Sequence, residues 1–598
     1  MKKILLIIPL LLSLFFSKAQ INTSDITTKD ILQHLQYLAS DAMKGRYPGT
    51  KESKEVSDYL KQHYQNAGLK LMCDSGFQYF DITSGMIPGK NNTMKFENKN
   101  FTYGKDFLTY SFSSNDTLDT AVVFAGYGFD IKKDTLLWQD YAGINIKNKW
   151  VMILTGDPGS DSTRNPWRRY SFDRNKAITA HDLGAAGVIF VISEKNYPAD
   201  NLEGNMVDLG YYNVDIPVLQ ITRKMANKLL KSKNTNISSL ENELRQNKKP
   251  HSFILDVSIK ATTDLLRTKL STRNVVAIIP GTDSLLKNEY IVVGAHYDHL
   301  GMLGDVNNSQ GSSKKEVYNG ADDNASGTVG LIELSRVLAA NKNSLKRSII
   351  FISFDAEEEG LLGSKYFMAH LPVDKKKIKL MINFDMIGRM NSDQKLLTIN
   401  GTGSFKQSDS ILNLYSNSSS GMKVRFSPGN FSGSDQFSFY TEKIPILFFF
   451  TGIHEDYHKP TDDIEKINLE GEKMVLDYAA NVIQNFANTN TTLTFREDRS
   501  EQSNSPRRYK VTLGVIPDFT NTEQNGFKID GTRKDSPADK AGMLKGDIIQ
   551  SIDGKMVNNI QDYMLRMENV EPGQTIVIEF LRNNVKQKVS VTFEIKKP

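Results

Sequence analysis

The chain has 598 residues, of which 39% are hydrophobic and 24% are charged. This length predicts about three or four domains, and the apolar content excludes a chain that is disordered throughout. The 74 basic residues nearly balance the 69 acidic residues and form no basic stripe, so no nucleic-acid partner is expected. Cys73 is the single cysteine of the sequence, which excludes an intramolecular disulfide bond.

The first residues have the layout of a secretory signal peptide. A short basic start precedes an apolar run over residues 4–16, and small residues flank position 18. The run is short for a membrane span, so we expect removal of residues 1–19 and export to the periplasm or the extracellular space, with an uncleaved anchor as the alternative. The longest later apolar run, 444–450, contains Pro445 and predicts a buried strand, so no stable membrane span is expected after cleavage.

Changes in composition and periodicity predict six regions. Near the start, apolar residues recur at helical spacing, and a β-rich stretch follows. Next comes a stretch in which apolar runs alternate with helical segments, and after it polar residues typical of a linker. The regions are a signal peptide (1–19), the first part of a host domain (20–118), an inserted β-rich domain (119–262), the main part of the host domain (263–489), a linker (490–508) and a compact C-terminal domain (509–598).

The main part of the host domain predicts an α/β fold. Apolar runs that separate helical segments are typical of a mostly parallel central sheet flanked by helices on both faces. The runs lie at 275–279, 290–295, 349–354, 380–384 and 446–450, and a helical segment lies at 328–340.

Acidic residues and histidines lie at or beyond the ends of these runs. Ligand sites in open α/β sheets lie beyond the carboxyl ends of the strands, so we expect these side chains to converge. Imidazole and carboxylate groups together suit a borderline metal such as zinc. The candidates are His296, Asp298, Asp323, Glu357, Glu358, Asp385 and His458.

The local sequences and their order resemble the M28 family of zinc peptidases, in particular the bacterial double-zinc aminopeptidases. The matching strings are GAHYDHLG, NGADDNASG, AEEEGLLGS, NFDMIGR and DYHKPTDD, and the resemblance covers about residues 30–487. It implies the zinc exopeptidase fold and two zinc ions per chain.

The resemblance also assigns roles to the metal ligands. One zinc ion would be held by His296 and Asp385, and the other by Glu358 and His458. Asp323 would bridge both ions, which agrees with the need of two close cations for a shared anionic ligand.

Three further roles accompany this ligand set. Glu357 would be the general base that takes a proton from water and passes it to the leaving amine. Asp298 would accept the ring N–H of His296, and Tyr457 resembles a tyrosine that stabilises the oxyanion in some members. The resemblance further implies that the peptide bond between Asp323 and Asn324 is cis.

The sequence departs from the family at one place. Many members have Ser-Asp-His where this chain has Ser434-Asp435-Gln436, so a role for that histidine is in doubt here. His299, His454, Asp322 and Glu359 lie near the site in sequence but are assigned no metal. All five ligand positions are present, which argues against the single-zinc relatives and the non-enzymatic receptor relatives.

Both flanking regions resemble known domains. The insert contains GYG at 126–128, KNKW at 147–150 and LGAAGVIF at 183–190. Through these strings it resembles a protease-associated (PA) domain, either a lid that shapes substrate access or a passive packing module. The C-terminal region contains LGVI at 513–516, SPADKAGM at 536–543 and KGDII at 545–549, and it resembles a PDZ domain, in which a loop holds a peptide carboxylate by backbone N–H groups. That loop would comprise Leu513, Gly514, Val515 and Ile516, and the partner would be the C-terminal peptide of a ligand, unless the domain has none.

These features predict an exported zinc metallo-exopeptidase that removes N-terminal residues from peptides or proteins, using a water activated between two zinc ions. Two alternatives remain open. One is a carboxypeptidase-like relative that acts on C-terminal acidic residues, and the other is a peptide-binding envelope protein whose PDZ domain is functional and whose peptidase site is idle.

Overall fold

The computed structural model describes residues 23–133, 136–159, 165–195, 198–202, 213–302, 316–412, 421–429, 433–497, 511–518, 526–533 and 535–593. The predicted signal peptide and residues 498–508 of the predicted linker lie outside the described residues. Within the described ranges, no helix has both the length and the apolar composition needed to cross a membrane.

Helices and strands are numbered in chain order. The α-helices are α1 (Thr28–Leu38), α2 (Lys51–Asn66), α3 (Asp173–Asp182), α4 (Arg223–Leu229), α5 (Ile237–Asn247), α6 (Gly327–Ala340), α7 (Leu362–Ala369), α8 (Ser408–Leu412), α9 (Gln436–Thr441), α10 (Leu469–Asn488), α11 (Pro537–Lys540) and α12 (Ile560–Glu568). The strands are β1 (Lys70–Leu71), β2 (Phe77–Pro88), β3 (Thr93–Phe96), β4 (Lys99–Phe101), β5 (Phe107–Thr109), β6 (Thr117–Ala125), β7 (Asp130–Lys133), β8 (Leu136–Gln139), β9 (Trp150–Leu154), β10 (Gly187–Val191), β11 (Val218–Ile221), β12 (Ser252–Thr262), β13 (Leu265–Ile279), β14 (Tyr290–His296), β15 (Ser348–Phe354), β16 (Ile378–Phe384), β17 (Leu396–Asn400), β18 (Lys423–Ser427), β19 (Ile446–Phe450), β20 (Val515–Pro517), β21 (Phe527–Thr532), β22 (Ile548–Ile552), β23 (Lys555–Met556), β24 (Thr575–Arg582) and β25 (Val585–Thr592).

The host domain is built on one large sheet with a parallel centre. Its strand order is β1-β13-β15-β14-β16-β19-β17-β18, and β2 pairs with β13. The four neighbours β15, β14, β16 and β19 run parallel, whereas β13 and β17 pair with this centre in antiparallel fashion. Strands buried on both faces are apolar along their whole length, which explains why these runs could be recognised in the sequence.

Helices cover both faces of this sheet. Apolar side chains of α1, α6 and α10 form one large core on one face. On the other face, Phe367 of α7 and Phe439 of α9 pack with Phe354 at the end of β15. The predicted α/β class, with helices on both faces of the central sheet, is therefore confirmed.

The inserted domain has its own sheet, in the order β4-β3-β12-β6-β9-β10-β11-β5. Helix α3 contributes to the core on one face, and α4 and α5 contribute to the core on the other. The sheet includes residues 93–109, upstream of the expected boundary at residue 119, because β3 pairs with the end of β12 and β5 pairs with β11. The insert therefore connects to the host domain through β2 and β13, which pair over eleven residue positions.

The C-terminal domain is a small antiparallel sheet with two helices. Its strand order is β20-β21-β22-β24-β25, with β23 paired to β22, and apolar residues of α11 and α12 contribute to its core. The loop at Leu513 and Gly514 precedes the edge strand β20. This placement is the one expected of a carboxylate-binding loop.

Candidate metal centre

The candidate ligands come together because the central strands are parallel. Parallel strands end at the same edge of a sheet, and ligand sites in such folds lie beyond that edge. His296 is the last residue of β14, and Asp385 directly follows β16. The glutamates at 357 and 358 follow β15 by three and four residues, and Asp323 lies just before α6.

One group of donors surrounds the imidazole of His296. Its Nε2 atom lies 3.5 Å from Asp323 Oδ1 and 3.6 Å from Asp385 Oδ1. Both Nε2 of His296 and Oδ1 of Asp385 are buried without a hydrogen-bond partner among the described residues. Zinc–ligand bonds of 2.0–2.2 Å in tetrahedral geometry place neighbouring donors about 3.3–3.6 Å apart, so the three side chains fit one zinc ion.

A second group shares the other oxygen of Asp323. His458 Nε2 lies 3.1 Å from Asp323 Oδ2 and 3.2 Å from Glu358 Oε2. The two oxygens of Asp323 therefore face two different histidines, which is the arrangement required of a bridging carboxylate. The donor types suit zinc at this position as well.

The structure also brings His299 to the second group, although its sequence position assigns it no metal. Its Nδ1 atom lies 2.7 Å from Glu358 Oε1, and the side chain is fully buried. Ligand atoms of His299, Asp323 and Glu358 lie within 4.8 Å of one another. His299 therefore either orients Glu358 through this hydrogen bond or stands as a further donor beside His458.

The buried carboxylate of Asp462 binds the backbone at Asp323. Oδ2 of Asp462 accepts hydrogen bonds from the backbone N–H groups of Asp322 and Asp323, each at 3.0 Å. The peptide bond between Asp323 and Asn324 is cis, as the resemblance implies. Asp462 lies within the string DYHKPTDD, but nothing in that pattern shows that it supports the bridging residue.

Asp298 supports the two glutamates. Its Oδ1 and Oδ2 atoms accept hydrogen bonds from the backbone N–H groups of Glu357 (3.1 Å) and Glu358 (3.2 Å). The expected bond to the ring of His296 is not formed by this carboxylate, because Oδ1 lies 3.6 Å from Nδ1, whereas the backbone oxygen of Asp298 lies 3.3 Å from it. Asp298 therefore fixes the segment that carries the predicted base.

Glu357 lies beside the metal ligands without belonging to either donor group. Its Oε2 atom is 3.9 Å from His296 Nε2. Burial raises the pKa of Glu357 well above its usual value, and the neighbouring imidazole of His296 opposes this rise. The nearby charges of Glu358, Asp435 and Asp385 raise the pKa further. A raised pKa makes the carboxylate a stronger proton acceptor when it is ionised.

Tyr457 lies at the rim of the site. Its ring stacks on the ring of His458 with a centroid distance of 3.8 Å, and the side chain is partly exposed. Burial, together with the charges of Asp323 and Glu358, raises the pKa of the hydroxyl group. The hydroxyl therefore stays protonated and can donate a hydrogen bond.

Sequence reasoning missed Arg46, which is buried beneath the site. Its guanidinium group donates hydrogen bonds to backbone oxygens in three separate segments: Leu38 (2.8 Å), Tyr297 (2.8 Å), Asn319 (2.6 Å) and Gly320 (3.1 Å). Tyr297 follows the ligand His296 in the chain, and the pair 319–320 precedes Asp323. Arg46 therefore ties two ligand segments to the N-terminal part of the chain.

Electrostatics keep Arg46 charged despite its burial. Burial lowers the pKa of Arg46 to about 10, and the charges of Asp298, Asp323 and Asp462 oppose this fall. In the sequence, Arg46 lies among the turn-forming residues Gly45 to Gly49. Because an arginine in a turn is normally exposed, this pattern does not indicate that the side chain is buried near the site.

Two family models match the chain. Residues 274–483 match the model of peptidase family M28, and residues 512–593 match a PDZ domain model. Both donor groups described above lie within the first match.

Several curated proteins are similar to parts of the chain. An aminopeptidase of Pseudomonas aeruginosa (strain UCBPP-PA14) is 27% identical over 366 residues, which is 60% of this chain and 57% of that protein. A probable leucine aminopeptidase 2 of Aspergillus oryzae is 31% identical over 204 residues, which is 33% of this chain and 37% of that protein. The chain thus matches less than two thirds of the length of these relatives.

Solved structures are similar at lower identity. An aminopeptidase from Aneurinibacillus sp. strain AM-1 is 21% identical with a TM-score of 0.47, covering 80% of this chain and 98% of that one. A zinc aminopeptidase from Bacillus subtilis is 20% identical with a TM-score of 0.47, and the match covers 79% of this chain and 98% of that one.

The buried position of Arg46 leads to a prediction about metal affinity. Arg46→Met leaves backbone oxygens of two ligand segments without a donor, so we expect zinc affinity to fall about 10- to 100-fold, the range typical of groups that orient metal ligands. Arg46→Lys keeps the charge but cannot span the same oxygens and should give an intermediate loss. Competition with a chelating dye measures the affinity.

A matched control is Arg273→Met. The Arg273 side chain donates to Ser57 Oγ and to the backbone oxygen of Lys54, both in α2, and to neither ligand segment. This variant should unfold at a lower temperature with unchanged zinc affinity. An equal loss of affinity in both arginine variants would mean that Arg46 acts only through general stability.

Proposed function

We propose that the protein is an exported aminopeptidase that uses two zinc ions to remove N-terminal residues from peptides. The match of residues 274–483 to the model of peptidase family M28 and the match of residues 512–593 to a PDZ domain model support this proposal. The observation that carries this proposal is the position of Asp323, whose two oxygens face His296 and His458. A signal-like first segment supports export.

The donor set supports zinc as the metal. His296, Asp385 and the first oxygen of Asp323 would hold one ion. Glu358, His458 and the second oxygen of Asp323 would hold the other. Zinc bound there would supply a Lewis acid that polarises the substrate carbonyl and lowers the pKa of water.

The remaining chemistry belongs to side chains of the protein. Glu357 accepts a proton from the attacking water and returns it to the nitrogen of the departing peptide, which leaves as a neutral amine. Asp298 holds the backbone of Glu357 so that this carboxylate stays beside the ligands. Tyr457 is positioned at the rim to donate a hydrogen bond to the oxygen on which negative charge develops.

Hydrolysis of aminoacyl anilides is the direct test of the proposed function. The protein should release the anilide from leucine anilide and similar compounds, and N-acetylation should abolish this release, because an aminopeptidase requires the free amine. Equal rates on free and blocked compounds would contradict the proposal. Activity confined to C-terminal acidic residues would identify a carboxypeptidase-like enzyme instead.

The adjacent glutamates should respond differently to the same substitution. Glu357→Gln removes the proton acceptor with little change of shape, so kcat should fall at least roughly 10²–10⁴-fold while two metal ions remain bound. Glu358→Gln is the matched control, since it weakens a metal ligand and should lower the zinc content. Loss of metal in both variants would contradict this division of roles.

Metal analysis should find about two zinc ions per chain in protein purified without chelators. Removal of the metal should lower the unfolding temperature, because the ions bind only the folded state.

Asp385→Asn alters a ligand of one ion and should retain about one equivalent. Asp323→Asn alters the shared ligand and should retain less than Asp385→Asn. Equal metal content in these two variants would contradict the bridging role.

A further inference from the structure

His458 is carried by a segment that begins directly after β19. Residues 451–458, here called the His458 segment, form no helix or strand. Gly452 has φ +121° and His458 has φ +54°, both in the left-handed region. Left-handed backbone at a residue other than glycine is uncommon and persists only where the surroundings hold it. The position of His458 therefore depends on contacts that hold this segment in place.

The start of the His458 segment is bound to the loop after β16. Thr451 donates two hydrogen bonds to Met386 O, one from its N–H group (3.0 Å) and one from its hydroxyl group (2.8 Å). Met386 directly follows the candidate ligand Asp385. These bonds hold the segment at the end opposite His458.

Asp456 is a second anchor of the segment. Its carboxylate accepts hydrogen bonds from Arg389 Nη2 (3.1 Å), Thr461 Oγ1 (2.7 Å) and Lys466 Nζ (2.5 Å). The side chain of Lys466 is partly exposed, so water screens this ion pair. None of these three donors is a candidate metal ligand, so Asp456 does not connect the segment to the other donors of the site.

His454 makes that connection. Its Nε2 atom lies 3.2 Å from Asp322 Oδ2, and the side chain of Asp322 is fully buried. Both atoms are buried, and neither has a hydrogen-bond partner elsewhere among the described residues. A buried carboxylate oxygen is costly unless a polar or positive group faces it. The contact between the imidazole and this carboxylate therefore stabilises both side chains.

Asp322 is itself fixed to two segments of the site. It directly precedes the bridging residue Asp323 in the chain. Its Oδ1 atom accepts hydrogen bonds from the N–H of Gly388 (2.7 Å) and from Ser326 Oγ (3.0 Å). Gly388 lies in the loop after β16, and Ser326 directly precedes α6. Asp322 is therefore a rigid point against which His454 can hold the His458 segment.

We propose that His454 is a positioning residue that holds the His458 segment against Asp322. In this position His458 faces Asp323 and Glu358, at 3.1 Å and 3.2 Å. The proposal rests on the proposed two-zinc aminopeptidase function and deepens it, because a residue that binds no metal then sets the affinity for one of the two ions. That ion is the one expected at Glu358 and His458.

The test measures zinc affinity by competition with a chelating dye. His454→Phe keeps a ring of similar size but loses the polar contact with Asp322. One of the two ions should bind about 10- to 100-fold more weakly, the range typical of groups that orient metal ligands, and the other should bind as in the wild type.

Two variants described above assign the weakened ion. In Asp385→Asn the remaining ion is expected at Glu358 and His458, and addition of His454→Phe should weaken it. In Glu358→Gln the remaining ion is expected at His296 and Asp385. Addition of His454→Phe should leave that ion unchanged.

Three further variants separate positioning from general stability. His454→Gln should retain most of the affinity, because the amide N–H of glutamine can reach Asp322. Glu455→Ala is the matched control, since Glu455 is exposed in the same segment, and it should leave the affinity unchanged. Asp322→Asn removes the charge that His454 faces, so addition of His454→Phe should cause little further loss.

Amide hydrogen exchange of the metal-free protein is a second measurement, which depends on neither zinc nor activity. In His454→Phe, residues 451–458 should exchange faster than in the wild type, whereas β14, β15 and β16 should keep their protection. Faster exchange throughout the host domain, with equal weakening of both ions, would overturn the inference, because His454 would then serve only the overall stability.

Two other outcomes are decisive. Equal zinc affinity with and without His454→Phe, in a protein that binds two ions and cleaves leucine anilide, would refute the positioning role and leave the proposed function intact. A wild-type protein that binds no zinc and does not cleave leucine anilide would refute the proposed function, and the inference with it.

Discussion

Buried negative charge at the carboxyl ends of the central strands is the constraint on which the rest of the structure depends. The parallel order of β15, β14 and β16 brings the carboxylates of Asp323, Glu358 and Asp385 to one edge, where they are largely shielded from water. Burial of a charge costs several kcal/mol or more unless an opposite charge or a hydrogen-bond donor faces it. Imidazoles, backbone N–H groups and cations must therefore meet these carboxylates.

Three sets of groups surround these buried carboxylates. His296 and His458 face the carboxylates directly. Behind them, the carboxylates of Asp298 and Asp462 bind the backbone N–H groups of the ligand segments. Arg46 binds the backbone oxygens of the same segments and places one positive charge among the surrounding acids. The ligand side chains are thus oriented by polar contacts to their own backbone, which is how metal sites achieve precise geometry.

The other two domains are arranged around this centre by a few connections. The paired strands β2 and β13 link the insert to the host sheet. The PDZ domain contacts the insert through Arg566 and the host domain through Lys545. The positions of these domains therefore depend in part on ion pairs between domains, and such pairs respond to charge changes more readily than an apolar core does.

The sequence by itself determined the local structure and the candidate ligands. Strand β19 was predicted with its observed bounds at 446–450, because a strand buried on both faces is apolar throughout. The five candidate ligands were found because their strings resemble the family closely, and the structure places their donor atoms 3.1–3.6 Å from Asp323 or from one another.

Only the tertiary structure decided which distant groups support the site. The partners of Arg46, Asp298 and Asp462 are backbone atoms far away in the chain, and backbone atoms leave no trace in a residue pattern. For the same reason the start of the insert was expected at residue 119, although β3 and β5 join its sheet through backbone hydrogen bonds. The contacts of the PDZ domain with the insert and with the host domain likewise depend on tertiary packing, since a one-dimensional pattern records neighbours along the chain and not contacts between domains.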